Sequence, residues 1–170
     1  MLVMNALWFG LALAGPVAPG VQTKDPCTLL TADEVQTLAP GTEIPAGVSE
    51  TVSGPMGVVG CRYEWGAAGN ATAGKYTLTV TLSDAARAYP GAKPADIQKG
   101  IARPVDPGDP PAILIPKTGD RAYYKSSGKV RSDAVALVKG SILEIRLDGP
   151  GATGKRTQVI SLLRTAVERL

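Results

Sequence analysis

The chain has 170 residues, 44% hydrophobic and 19% charged, with a net charge of +3, two Cys and no His; that length suits one domain and is short for two. Without His, Ser-His-Asp and Cys-His hydrolases, His general bases and His-ligated zinc are excluded, and two Cys cannot complete a four-thiolate site, so no metal site is expected. A charge this small does not point to nucleic acid.

Residues 1–14, MLVMNALWFGLALA, are apolar and uncharged and close on Ala12-Leu13-Ala14, the small-x-small pattern of a signal-peptidase site. The run is shorter than the about 20 residues that span a bilayer, so it reads as a signal peptide, and no transmembrane helix is expected in the mature protein. Residues 15–24 are a Pro/Gly-rich flexible tether, and a single ordered domain is expected over 25–170. Cys27 follows Lys24-Asp25-Pro26 rather than the apolar run, which argues against a lipid anchor. The expected location is secreted or periplasmic. Loss of the signal removes Trp8 and Phe9, leaving Trp65 and five Tyr, too few aromatic platforms for single-stranded nucleic acid or sugars.

In an oxidising compartment Cys27 and Cys61 most simply pair. The loop so closed is worth about 3–4 kcal/mol in the chain-entropy model, and its spacing is unlike a redox C-x-x-C pair. Thr31-Ala32-Asp33-Glu34 has capping-box spacing and predicts a helix over 32–38, stopped by Pro40. Residues 40–57 are Gly/Pro-rich and predict a connection without a long element. Cys61-Arg62-Tyr63-Glu64-Trp65 alternates and predicts a strand ending at Gly66, with Cys61, Tyr63 and Trp65 inward. After a turn over 66–74, which carries the Asn70-Ala71-Thr72 sequon of an exposed loop, Lys75 to Leu82 alternates with Tyr76, Leu78, Val80 and Leu82 inward. Its Thr77, Thr79 and Thr81 row reads as an ordinary exposed sheet face, since ice binding needs stacked repeats of such a row.

Ser83 is placed to cap a short helix through Arg87, and 94–102 predicts another. Five Pro over 103–119 exclude a helix or central strand over most of that stretch and predict a long surface loop. From Asp120 the pattern is antiparallel: Arg121 to Tyr124, a turn at Ser126-Ser127-Gly128, then Lys129 onward, then Ala134 to Val138, a tight turn at Lys139-Gly140-Ser141, and a strand over 142–147 with one wet face. Thr157 to Leu170 is amphipathic, with Val159, Ile160, Leu163, Ala166, Val167 and Leu170 on one stripe, and must cover the sheet. The fold class is α+β: one twisted antiparallel sheet flanked by helices.

Gly149-Pro150-Gly151-Ala152-Thr153-Gly154-Lys155 fits the G-x-x-x-x-G-K phosphate-loop pattern between a strand and a helix. Arg156 stands where Ser or Thr should hold Mg²⁺, Pro150 lacks an N–H, and the chain ends before further βα units can form. What survives is a candidate anion-binding site at Gly154, Lys155, Arg156 and Thr157, before and within the final helix. Glu64, Asp84, Asp106, Asp109, Asp120 and Glu144 are the carboxylates from which a glycosidase-type pair would have to come.

Four pieces in order, Asp25-Pro26-Cys27-Thr28-Leu29-Leu30-Thr31, Cys61-Arg62-Tyr63-Glu64-Trp65, Gly119-Asp120-Arg121-Ala122-Tyr123 and Val138-Lys139-Gly140, resemble exported bacterial proteins of unknown function that open D-P-C-x-L-L-T. The resemblance covers residues 25 to 170. It implies a PsbP-like α/β sandwich without cofactor or established catalytic residues, a fold used for binding and assembly. The expected function is a non-enzymatic, disulfide-linked binding or interaction module whose protein or small-molecule partner lies in the cell envelope. A small carboxylate-dependent hydrolase, or a carrier of a small apolar or anionic ligand, is the alternative. Fold analogy alone supplies no ligand.

Overall fold

A computed structural model describes residues 24–52, 58–66 and 74–170. The expected signal peptide, all but the last residue of the tether, and the sequon at Asn70 lie outside them. Seven strands form one antiparallel sheet: β1 (Val48–Val52), β2 (Val58–Trp65), β3 (Tyr76–Asp84), β4 (Ile113–Leu114), β5 (Arg121–Ser127), β6 (Arg131–Val138) and β7 (Ser141–Asp148). Their order is β1-β2-β3-β7-β6-β5-β4. Four α-helices accompany them, α1 (Ala32–Val35), α2 (Ala85–Ala88), α3 (Pro94–Ile101) and α4 (Arg156–Glu168), so the expected α+β class holds.

Strand alternation builds the main core. Cys61, Tyr63 and Trp65 of β2, Leu78, Val80 and Leu82 of β3, and Leu143, Ile145 and Leu147 of β7 all face one side and are buried. Val159, Leu162, Leu163 and Ala166 of α4 cover this face over β6 and β7. The stripe is centred slightly differently from its sequence reading: Leu162 is buried, while Ile160 and Val167 are half-buried at its rim. Over β2 and β3 the cover is the N-terminal segment, with Leu29, Leu30, Val35 and Leu38 buried.

That segment is held by specific bonds. The Cys27–Cys61 disulfide, with a Cα–Cα distance of 4.9 Å, ties a 3₁₀ turn at Pro26–Thr28 to β2 across 34 positions. Beside it the buried Tyr63 hydroxyl donates to Leu30 O at 2.6 Å, and burial, followed by the nearby Glu34 and Asp25 charges, raises the Tyr63 pKa. The capping box forms as read, with Thr31 N–H donating to Glu34 Oε2 at 2.8 Å and Glu34 N–H to Thr31 Oγ1 at 3.3 Å. Glu34 also pairs with Arg169 at the end of α4, whose Nη1 lies 2.8 Å from Oε2 and 2.9 Å from Leu29 O. One carboxylate thus caps α1 and clamps the two covering elements together. The Arg169 hydrogen bond is the main cause holding the Glu34 pKa below its ordinary 4.5.

Five local expectations are corrected. Residues 40–57 contain β1, an edge strand whose Val48 is 62% exposed, so no inward apolar row marks it in the sequence. The 103–119 loop contains the two-residue β4, with Pro111 and Pro116 just outside it. Asp84, not Ser83, caps α2, accepting from Arg87 N–H at 3.0 Å, because β3 continues through Ser83. β5 runs through Ser127, paired with Arg131, which moves the turn to Gly128–Val130. Finally, the second face of the β6–β7 hairpin is not wet throughout: Val135, Leu137 and Ile142 form a smaller core with Ala85, Ile97 and Ile101 of α2 and α3. The turn between these strands holds as read. Lys139 and Gly140 both have positive φ, 47° and 79°, the two-residue geometry that matches strand twist.

Gly47 lies against the bridge. A Cβ there would fall 2.4 Å from Cys61 Sγ and 2.6 Å from Tyr63 Cζ. Gly47→Ala is expected to destabilise the protein by about 1–3 kcal/mol through overpacking, read from denaturant unfolding of the oxidised chain. The Glu34 clamp sets a pH dependence. A carboxylate whose folded pKa is depressed contributes stability that is complete above the unfolded value, here 4.5, and lost as pH falls through the folded value. Glu34→Gln is expected to lower the melting temperature at pH 7 and to flatten its decline below pH 4.5; equal slopes in wild type and variant would remove Glu34 from acid unfolding.

Candidate functional site

The segment Gly149–Lys155 folds as a turn locked to the sheet, not as a phosphate cradle. Gly149 N–H donates to Val130 O at 2.8 Å, Ala152 N–H to Gly149 O at 3.1 Å and Gly154 N–H to Gly151 O at 2.9 Å, so three of its donors point inward. Tyr76 donates its hydroxyl hydrogen to Pro150 O at 2.6 Å. From below, the buried Ser132 hydroxyl donates to Ala152 O at 3.0 Å and lies 2.7 Å from the Tyr124 hydroxyl. This small buried polar cluster fixes where α4 begins. It also places the Arg156 guanidinium over the Tyr124 ring, 5.3 Å from the centroid, a cation–π geometry.

A groove of about 530 Å³ opens between α4 and the segment around β4. One wall is Leu114, Ile115 and Pro116; the other is the helix face Arg156, Thr157, Ile160, Ser161 and Arg164. Residues eight apart on a helix stand about 12 Å apart along its axis, so a cation sits toward each end with Ile160 and two hydroxyls between. Arg164 Nε reaches Thr118 Oγ1 at 3.4 Å, and Thr118 in turn donates to Pro116 O at 3.2 Å, joining the walls at one end. Among the described residues, neither Arg156 nor Arg164 forms a salt bridge.

Of the four residues read as an anion site, Arg156 and Thr157 line this groove; Gly154 and Lys155 belong to the 3₁₀ turn before it and are not in its wall. Ser161, Arg164 and the Leu114–Pro116 wall escaped the sequence reading. The positions Arg156, Ile160 and Arg164 are spaced i, i+4, i+8, and that periodicity is the signal that aligns them.

The six carboxylates singled out in the sequence are dispersed. Asp84 caps α2, Asp120 accepts from Lys139 N–H at 3.0 Å, Asp109 from Asp106 N–H at 2.9 Å, and Asp106 from the Ser127 hydroxyl at 2.9 Å. Glu64 pairs with Lys75 at 2.9 Å and Arg62 at 3.0 Å, and the Lys75 hydrogen bond is the main cause lowering its pKa. Glu144 pairs with Arg146 at 2.7 Å. Glu64 and Glu144 share the open part of the second sheet face with the Thr77, Thr79 and Thr81 row. That surface centres on Asp133, only 1% exposed, which accepts from Arg131 Nε at 3.1 Å and Arg146 Nε at 3.3 Å. Register places Arg62, Thr79, Arg146, Asp133 and Lys125 in one cross-strand row. Burial raises the pKa of neighbouring Asp148, partly opposed by Arg131 and Arg146. Among the described residues, no group of three or more Cys, Asp or Glu side chains is arranged to hold a metal ion.

Comparison with protein families, curated proteins and solved structures finds no match to this chain.

Because Arg156, Thr157, Ser161 and Arg164 are exposed at the groove rim, replacing both arginines by Gln is expected to shift stability by no more than about 0.5 kcal/mol per site. Thermal unfolding of R156Q/R164Q checks this; a large loss would make the arginines structural.

Proposed function

We propose that the protein is an exported, non-enzymatic binding module that takes a small amphipathic anion in the groove between α4 and β4. The observation that carries this reading is the pairing of two guanidinium groups, without carboxylate partners among the described residues, with apolar lining from Ile115, Pro116 and Ile160. A ligand with an acidic head and a short apolar body matches both parts. Arg is suited to the head because its planar fork binds carboxylate or phosphate bidentately. Thr157 and Ser161 add donors that suit the same oxygens.

The Cys27–Cys61 bridge supports a secreted or periplasmic location, since disulfides persist in oxidising compartments. No helix among the described residues is long and apolar enough to cross a membrane. The resemblance of the D-P-C-x-L-L-T opening to exported bacterial proteins, which implies a PsbP-like sandwich, supports a binding module over an enzyme. The dispersed, individually engaged carboxylates favour the same side of that choice.

Calorimetric titration with hexanoate and with inorganic phosphate tests the reading. Hexanoate is expected to bind more tightly than phosphate, to weaken with added salt, and to lose about tenfold or more in R156Q/R164Q, the scale of one charge-assisted hydrogen bond. Absence of binding by the wild type, or equal binding by the folded double variant, would overturn it.

A further inference from the structure

β4 ends the sheet, and its second edge is unpaired among the described residues. The register Ile113↔Tyr124 and Leu114↔Tyr123, with Ile115 N–H donating to Ala122 O at 2.9 Å, makes residues 113 and 115 the ones that bond to β5. In an antiparallel pair bonded and non-bonded positions alternate. The Leu114 N–H and C=O therefore point away from β5, at the rim of the groove that Leu114 lines. Ile113 and Leu114 are 41% and 48% exposed, an apolar edge of the kind that templates strand addition unless it is blunted. Here Pro116 removes the next outward N–H, so Leu114 supplies the outward donor within β4.

We propose that the groove's occupant is an extended acidic peptide that adds a short strand to β4, bonding to the Leu114 backbone while its carboxylates reach Arg156 and Arg164. This deepens the anion-site reading and rests on it. The dimensions agree: side chains four apart in an extended peptide project to the same side about 13 Å apart, close to the about 12 Å between the two arginines along α4. The intervening same-side residue falls beside Thr157, Ile160 and Ser161. Strand addition supplies affinity through main-chain hydrogen bonds and specificity through alternate side chains. The peptide proposed is a segment of a partner molecule rather than a stretch of this sequence outside the described residues. Residues 1–24, 53–57 and 67–73 contain no Asp or Glu, and the described acids do not pair with either arginine.

The probe is the blocked pentapeptide Ac-Glu-Val-Thr-Val-Glu-NH2, titrated beside hexanoate and beside its Gln-for-Glu counterpart. The Glu peptide is expected to bind at least about tenfold tighter than either. Leu114→Pro deletes the outward N–H and no ladder bond, so it is expected to weaken the Glu peptide by about tenfold or more beyond whatever loss it causes for hexanoate, whose apolar body meets the same wall. In the wild-type protein the Leu114 amide is expected to gain protection from hydrogen exchange when the Glu peptide is added, a readout independent of the variant's folding. Hexanoate binding with a peptide no tighter, or with no change at the Leu114 amide, would overturn strand addition and leave the anion site standing. Failure of hexanoate and peptide alike would overturn both. A stable dimer in native mass spectrometry that excludes the peptide would assign the edge to a second copy and overturn the peptide.

Discussion

The constraint on which the structure depends is the width of its sheet. Seven strands at about 4.8 Å spacing make a face near 29 Å across, whereas one helix is about 10 Å wide. α4 covers the β6–β7 part of the core face, and the rest must be closed by the N-terminal segment. Its four-residue helix and 3₁₀ turns are far too short to persist alone. Their position is imposed by the Cys27–Cys61 bond, the Tyr63–Leu30 hydrogen bond and the Glu34–Arg169 clamp. Remove these and only apolar contact holds Leu29, Leu30, Val35 and Leu38 over β2 and β3.

What was legible in the sequence follows from the same physics. Strands with one face on the main core carry period-two patterns, so Cys61 to Trp65, Tyr76 to Leu82 and Leu143 to Leu147 could be read with their inward residues. The capping box and the Lys139-Gly140 turn are local chemistry and needed no tertiary context. β1 was invisible because an edge strand buries too little to impose alternation. The second core was missed because β6, buried on both faces from Ser132 to Val138, has no alternation to show which of its residues meet α3. The groove was half legible: Arg156 and Thr157 stood out beside a glycine-rich turn. Its opposite wall comes from a Pro-rich segment whose approach to α4 depends on pairing of β4 with β5, a long-range outcome that no local pattern encodes.

The two faces of the sheet solve the problem of polarity differently. On the core face the Tyr124–Ser132 pair is satisfied by carbonyls of the turn before α4 and the Tyr63 hydroxyl by the Leu30 carbonyl. On the second face, Asp133 is almost fully buried yet held by two arginines, the arrangement that makes a buried charge tolerable. Around it Glu144 and Asp148 add negative charge that Arg131 and Arg146 offset. Burial opposes the charge on Arg146, but Glu144 and Asp133 outweigh that and raise its pKa. The guanidiniums of this network are committed to carboxylates, whereas Arg156 and Arg164 on the other side meet only the Tyr124 ring and the Thr118 hydroxyl among the described residues.

The strand order carries a kinetic consequence. β1, β2 and β3 form one consecutive meander and β4 to β7 another, and the two meet only where β3 pairs with β7, from Thr77↔Asp148 to Asp84↔Ser141. Both cysteines belong to the first part, so every group needed for the bridge has been synthesised well before β7 exists. The central seam, by contrast, closes a long loop before any hydrogen bond rewards it, the hallmark of a slow, topology-limited search. A chain made from its N-terminus therefore carries the open edge of β3 until its last third arrives, and the period in which that edge is unpaired, not the chemistry of its sulfurs, sets when the molecule is most exposed to mispairing.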